Sequence, residues 1–222
     1  MALVNQLLRG IENLNKMGTV PILLWTVLGF LCGSLPFSVW LGKLVGKADV
    51  RGIGDGNPGA VNAWRAGGWK AGFPSLLLDF LKGGVPVGLA HHWAGLTGWE
   101  IVPVALAPIF GHAFSPFLKF RGGKAITVTF GVWSGLTLWV GPTILGLSLS
   151  LAVAFNRTDA WSAVFGILVL GGYLLLSGAP LTMLSIWGVN AALIILKSRK
   201  DLKNPPMVRP WLKKIIKGKG ID

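Results

Sequence analysis

Thr19-Val-Pro-Ile-Leu-Leu-Trp-Thr-Val-Leu-Gly-Phe-Leu-Cys-Gly-Ser-Leu-Pro-Phe-Ser-Val-Trp-Leu41 runs for twenty-three residues without a charged side chain. A helix rises about 1.5 Å per residue, so this run is long enough to cross the roughly 30 Å of hydrocarbon in a bilayer. Helical pairing also satisfies every backbone N–H and C=O inside the segment, which an apolar solvent demands. Pro36 falls near the end of the run. Six more apolar segments follow at Ala71–Trp93, Ile101–Phe117, Ala125–Val140, Pro142–Phe155, Trp161–Ser177 and Leu181–Leu196. The fifth segment, Pro142–Phe155, is short enough to be a partial or re-entrant span. The pattern predicts an all-α polytopic bundle of about seven transmembrane helices.

Composition agrees with a membrane solvent. Of 222 residues, 52% are hydrophobic and only 13% charged, with a mean hydropathy of +0.63, whereas a soluble domain carries about a quarter charged residues. The 21 Lys and Arg against 8 Asp and Glu leave a formal charge of +13. In a polytopic chain that excess speaks first to topology rather than to nucleic acid. Lys43, Lys47, Arg51, Arg65 and Lys70 lie between the first two segments, Lys119, Arg121 and Lys124 between the third and fourth, and Arg157 between the fifth and sixth. The alternate connections, near Ala94–Glu100, Gly141 and Gly178, carry no Lys or Arg. By the positive-inside rule the C-terminus is cytoplasmic and the N-terminus outside.

The first 18 residues lack the charged-then-apolar prelude of a signal peptide, so the first segment is expected to be retained. Residues 1–196 read as a single integral-membrane domain and 197–222 as a basic cytoplasmic tail. Trp211, Leu212, Ile215 and Ile216 are interleaved with lysines there, a spacing that suits either a helix on an anionic leaflet or a solvated topogenic tail. A lone cysteine, Cys32, excludes a disulfide framework. Three histidines split between the two faces offer no zinc ligand set.

Two glycine-rich connections on the basic face carry the chemistry. The first is Arg51-Gly-Ile-Gly-Asp-Gly-Asn-Pro-Gly-Ala-Val-Asn-Ala-Trp-Arg65. Its glycines allow amide N–H groups to converge on an anion, and its arginines and asparagines add phosphate-suited donors. The second is Gly111-His-Ala-Phe-Ser-Pro-Phe-Leu-Lys-Phe-Arg-Gly-Gly-Lys124, leading directly into an apolar helix. Gly122, Gly123 and Lys124 would put free N–H groups, the positive end of a helix dipole and an ammonium at one point. It is not a Walker A loop, because the glycine spacing is shorter and Ala125 follows the lysine. Each loop alone also reads as a plain connection with topogenic charges; together they favour a shared phosphoester pocket.

His112, at the membrane edge, suits either a structural bond between helices or a role as base or ligand. Asp79 and Lys82, three apart in an apolar segment, share one helix face and read as a buried pair tying helices near the site. Ser34 beside Pro36 reads as a packing feature, because no base lies near it in sequence.

Taken in order, Gly33-Ser-Leu-Pro-Phe37, Gly42-Lys43, Asp49-Val-Arg51, Gly54–Asn62 with Arg65, Leu78-Asp79 through Lys82-Gly83, and Gly111-His112 through Gly122-Gly123-Lys124 resemble the bacterial acyl-phosphate glycerol-3-phosphate acyltransferases, the PlsY family. The resemblance covers much of the first 130 residues. It implies an inner-membrane enzyme that moves an acyl chain from acyl phosphate to the 1-hydroxyl of glycerol 3-phosphate, giving lysophosphatidic acid for phospholipid synthesis, with no metal or organic cofactor. It further implies catalytic roles for Arg65, Lys124 and Asn62. Substrate-binding roles fall to Gly54, Asp55, Gly56, Asn57, Gly59, His112, Gly122, Gly123, Arg51 and Arg199. The Gly54–Gly59 backbone, Asn57, Asn62 and the Gly122-Gly123 turn would cradle the acyl phosphate, and Arg65 and Lys124 would hold the acceptor's phosphate.

The chain departs from the family pattern at three single positions and in one motif. Asp55 replaces a serine, Val61 a threonine, and Ala125 the glycine after Lys124. The third motif, His-Arg-x-Asn-Ile, is represented only by Ser198-Arg-Lys-Asp-Leu202, which keeps Arg199. A carboxylate at position 55 repels a phosphate unless Arg65 or Lys124 compensates it. The alternative function is a catalytically reduced paralogue that binds phospholipid or acyl phosphate and regulates a lipid-synthetic partner. A transporter is disfavoured because no internal repeat is seen.

Overall fold

A computed structural model of the protein describes residues 18–212. Among them are nine α-helices: α1 (Thr19–Ser34), α2 (Phe37–Gly46), α3 (Ala60–Gly67), α4 (Trp69–Gly88), α5 (Ile101–Ala113), α6 (Ile126–Thr137), α7 (Val140–Phe155), α8 (Asp159–Leu176) and α9 (Leu181–Ser198). No β-strand occurs among the described residues, only an antiparallel bridge between Asn156 and Val208. Ile215 and Ile216 of the tail lie outside them.

The first apolar segment is one rod of 28 residues, Thr19–Gly46, broken at Leu35-Pro36. Proline has no N–H and its ring blocks the preceding turn, so α1 ends at Ser34 and α2 restarts beyond it. Trp69–Trp93, Ile101–Leu118, Asp159–Leu176 and Leu181–Ser198 are also long and apolar enough to cross a membrane. The fourth and fifth expected segments appear as shorter apolar helices, α6 and α7. The shorter of the two is α6, not the Pro142–Phe155 segment, because Leu138 takes a left-handed φ of 54° and ends the helix at Thr137.

Glycines allow these helices to approach closely. A β-carbon on Gly33 of α1 would collide with the Pro108 backbone of α5, and one on Gly111 of α5 with Phe30 O. The same holds where Gly83 and Gly84 of α4 face Val128 and Gly131 of α6. Small residues spaced four apart are how membrane helices gain van der Waals contact when lipid is as apolar as leucine. A polar bridge joins α6 to α9: buried Asn190 accepts from Trp133 Nε1 at 3.2 Å and donates to Thr129 Oγ1 at 2.9 Å.

The main core joins α4–α9 through residues such as Val87, Ile109, Trp133, Ile167, Leu170 and Ile186. A smaller core of Val39, Val50, Ala63 and Leu118 lies beneath the first glycine-rich loop. It anchors that loop and α3, an amphipathic helix within the stretch whose glycines predict only loop.

Candidate active site

The loop between α2 and α3 begins with Asp49, which accepts from Arg51 N at 3.0 Å and from Arg51 Nε and Nη2 at 2.9 and 2.6 Å. The Arg51 guanidinium holds the Asp49 carboxyl well below the usual carboxylate range, and Asp49 in turn raises Arg51. Lys43 adds a third charge at 3.3 Å. Arg51, expected among the substrate-binding groups, is thus engaged by a local carboxylate.

Gly54 and Gly56 turn the chain with φ values of 59° and 72°, a region that costs a side chain about 1–2 kcal/mol. At Gly54 a β-carbon would also strike Arg65 Nη1. Asp55, between them, is the hub of the loop. Its Oδ1 accepts from Asn57 N at 3.1 Å and from Asn62 Nδ2 at 2.8 Å. Buried Asn62 also donates to Asn57 O at 3.0 Å and accepts from Arg65 Nη1 at 2.9 Å. Asn62 and Arg65 lie three apart on α3, so they share its inner face.

The second loop closes on the first. Lys124 N donates to Asn57 Oδ1 at 3.1 Å, and Lys124 Nζ donates to Asp55 Oδ2 at 2.7 Å. Burial works to raise the Asp55 carboxyl, but the hydrogen bonds from Lys124 and Asn57 outweigh it and hold the group below its ordinary value. The Asp55 carboxylate is therefore compensated by Lys124, one of the two groups the sequence offered for it. A second carboxylate reaches the same ammonium: Asp201 Oδ2 lies 2.6 Å from Lys124 Nζ. Burial works to lower the Lys124 ammonium, and its bonds to Asp201 and Asp55 outweigh that and hold it above its ordinary value.

Gly122 and Gly123 fit against His112. Gly123 N donates to His112 O at 3.1 Å, while a β-carbon at Gly122 would overlap that carbonyl and one at Gly123 would meet the ring Nε2. Ala125, where the family pattern has glycine, sits in the left-handed region at φ 60° and caps α6. Beneath the loops, Lys82 Nζ lies 2.6 Å from Asp79 Oδ1 and donates to Leu35 O at 2.8 Å. The pair thus ties α4 to the break between α1 and α2.

A cavity of about 690 Å³ opens below these groups. Its polar end carries Asn57, Gly59, Arg65, Lys124 and His112; Leu76, Phe80, Phe130, Leu149 and Val153 form its apolar wall. Val61 and Trp64 of α3 and Asp159, in the first turn of α8, also line it. The structure therefore brings together Gly54–Gly59, Asn62, Arg65, His112 and Gly122–Lys124. Arg199 caps the end of α9 and is not among the cavity residues; Asp201, two residues on, makes the connection to Lys124. Sequence reading met Asp201 only as the residue standing where the family's third motif has asparagine, and gave it no role.

The segment after α9 returns onto the bundle. Arg209 Nε donates to Val153 O at 2.9 Å and Trp211 Nε1 to Ala154 O at 3.0 Å, while Trp161 Nε1 of α8 donates to Asn204 O at 2.8 Å.

Residues 23–205 match the family model described as glycerol-3-phosphate acyltransferase. The chain is 51% identical over 118 residues to glycerol-3-phosphate acyltransferase 1 of Thermotoga maritima, covering 52% of this chain and 58% of that protein. Against this relative the chain spans little more than half the length. It is 35% identical over 184 residues to glycerol-3-phosphate acyltransferase of Thermus thermophilus, covering 81% of this chain and 89% of that one. Among solved structures it is similar to PlsY, described as an integral membrane glycerol 3-phosphate acyltransferase. The glycerol 3-phosphate form has a TM-score of 0.74 and the lysophosphatidic acid form 0.73. Each is 27% identical, with 89% of this chain and 92% of that one covered.

Proposed function

This chain belongs to the glycerol-3-phosphate acyltransferase family, and on that premise we propose that it transfers an acyl chain from acyl phosphate to the 1-hydroxyl of glycerol 3-phosphate. The product is lysophosphatidic acid, delivered into phospholipid synthesis. The observation that carries the reading is the two-ended cavity, which joins a loop-built anion end of Arg65, Lys124 and Asn57 to an apolar channel under one roof.

An acyl phosphate is a mixed anhydride and already activated, so the protein's task is to align the alcohol and neutralise the departing phosphate. The acceptor oxygen forms the new ester bond to the acyl carbon, the carbon–oxygen bond to phosphate breaks, and the hydroxyl proton leaves with inorganic phosphate. No covalent enzyme intermediate is required. The turn around Gly54 and Asp55, Gly122 N and the Asn57 amide hold the donor phosphate. Asn62, whose two amide hydrogens go to Asp55 and Asn57 O, and Gly123 N, taken by His112 O, order the loops around it. Arg65 and Lys124 hold the acceptor. Leu76, Phe80, Phe130 and Leu149 receive the acyl chain.

The protein is a multi-pass membrane protein, and its basic connections gather at the end that carries this cavity. By the positive-inside rule that end faces the cytoplasm and the N-terminus lies outside, and the bacterial relatives support the inner membrane as the protein's location.

The test is direct. Purified protein given acyl phosphate and labelled glycerol 3-phosphate is expected to form labelled lysophosphatidic acid with one phosphate released per product. Arg65→Ala and Lys124→Ala are each expected to lower turnover at least a hundredfold while the protein stays folded. Phosphate release without acylated product would remove glycerol 3-phosphate as acceptor. Inertness toward the donor as well would favour a binding or regulatory paralogue.

A further inference from the structure

Lys124 is the charge on which the two loops converge, yet it is not a free charge. An ammonium has three N–H donors, and two of them are taken: one by Asp55 Oδ2 at 2.7 Å, the other by Asp201 Oδ2 at 2.6 Å. The lysine side chain is largely enclosed, whereas each carboxylate keeps about a third of its surface in solvent. The two acids come from opposite parts of the chain. Asp55 is pinned by Asn57 N and Asn62 Nδ2, and Asp201 sits in the short 3₁₀ turn that follows α9.

The charge balance at this end of the cavity is therefore unusual for a site that takes phosphate. Lys124 faces two carboxylates, Asp55 and Asp201, and Asp159 adds a third acid to the cavity lining, while Asp79 is matched by Lys82. Carboxylates beside a phosphate repel it, and here the repulsion comes from groups fixed a hydrogen bond away from the cation meant to attract it.

We propose that Asp55 and Asp201 are specificity-determining residues that clamp Lys124, leaving it one directed N–H toward the cavity and too little net charge to hold free inorganic phosphate. The clamp rests on the reading of Arg65 and Lys124 as phosphate-holding groups. A ligand then binds only if it brings a second source of affinity, such as an acyl chain on the apolar wall or the hydroxyls of a polyol on the loop backbone. Free phosphate, which the reaction releases and which resembles both substrates at their anionic ends, brings neither. The clamp keeps it from occupying the site.

The experiment measures binding of inorganic phosphate to the full-length protein in detergent, by calorimetry, alongside inhibition of acyl transfer by phosphate. Asp201→Asn and Asp55→Asn each remove one carboxylate charge, and the Asn at 55 retains an oxygen to accept from Asn57 N. Each is expected to tighten phosphate binding about tenfold, which is about 1.4 kcal/mol, and to strengthen phosphate inhibition in parallel. Asp201→Glu keeps the charge and is expected to bind phosphate as weakly as the parent.

Unchanged or weaker phosphate binding in both Asn variants would overturn the clamp, as would equal tightening in the Glu variant, which would indicate that shape rather than charge is at work. Should Asp201→Asn fail to fold, Asp55→Asn against the parent decides the question alone. Phosphate affinities that follow this order in a protein without acyl transfer would keep the clamp and discard the acyltransferase reading, so the two can fail separately.

Discussion

Single residues at the site are tied to one another before any substrate arrives. Arg65 bonds Asn62, Asn62 bonds Asp55, and Asp55 bonds Lys124, so one continuous chain of donors and acceptors spans the two loops and fixes their spacing. Three of the replaced family positions lie on or beside it: Asp55 inside the chain, Asp201 on Lys124, and Ala125 next to Lys124 with a left-handed backbone. The buried pair below makes a sharper energetic statement. Asp79 and Lys82 are both almost fully enclosed, and a buried charge that loses its partner costs about 3–5 kcal/mol, whereas replacing both with apolar groups is often neutral. Lys82→Met is accordingly expected to destabilise the protein by that amount in chemical unfolding from detergent, and Asp79→Leu combined with Lys82→Met to recover most of the loss. A double variant as unstable as the sum of its parts would show that the two residues are not a coupled pair. The Arg65 and Lys124 positions were readable from the loops because glycine and cation patterns are local. Asp201 was not, because its partner Lys124 lies across α6–α9, and no spacing rule relates residues brought together by the ends of helices.

Helices in this bundle meet through glycine, and that sets which of them tolerate change. A β-carbon on Gly131 of α6 would run into Phe80 O of α4, whereas one on Gly172 of α8 would meet nothing within 4 Å. Gly131→Ala is expected to lower the unfolding midpoint substantially, with a loss of about 2 kcal/mol or more from the forced separation of α4 and α6. Gly172→Ala is expected to leave stability unchanged or raise it by up to about 1 kcal/mol, since alanine is the better helix former. Equal behaviour of the two variants in a thermal scan would contradict the packing assignment. The apolar segments themselves were legible, since hydrocarbon demands long uncharged runs. Their ends were less so: α4 begins two residues before the expected Ala71, and α2 runs five beyond Leu41. Helix α3 escaped because eight amphipathic residues beside four glycines carry too few turns for a periodic signal, and it is the small core of Val39, Val50 and Ala63 that holds it in place.

At the scale of the molecule, exposed tryptophans mark two rims. Trp93, Trp99 and Trp139 lie at one end of the bundle and Trp64, Trp69 and Trp211 at the other, as expected where amphipathic rings sit at headgroup level. Between those rims the helices differ in length. The 12 residues of α6 extend only about 18 Å, well short of the roughly 30 Å of hydrocarbon, and its N-terminus carries Lys124 and the floor of the cavity. No residue of α6 is exposed, so lipid meets the shortfall at α7, whose 16 residues span about 24 Å and carry exposed Val140, Leu147 and Leu151. The bilayer must thin there, or the polar end of the site is sunk below the headgroup plane. Either accommodation costs fractions of a kcal/mol per Å of mismatch, which makes the surrounding lipid a mechanical variable. Reconstituted into vesicles of increasing acyl length, the protein is expected to work best in thin bilayers and to lose turnover steadily as the membrane thickens, an outcome read from initial rates at constant headgroup composition. A flat profile from short to long lipids would mean that α7 imposes no thinning on the bilayer around it. On the proposed function, the bilayer that the protein helps to build would then also set its pace.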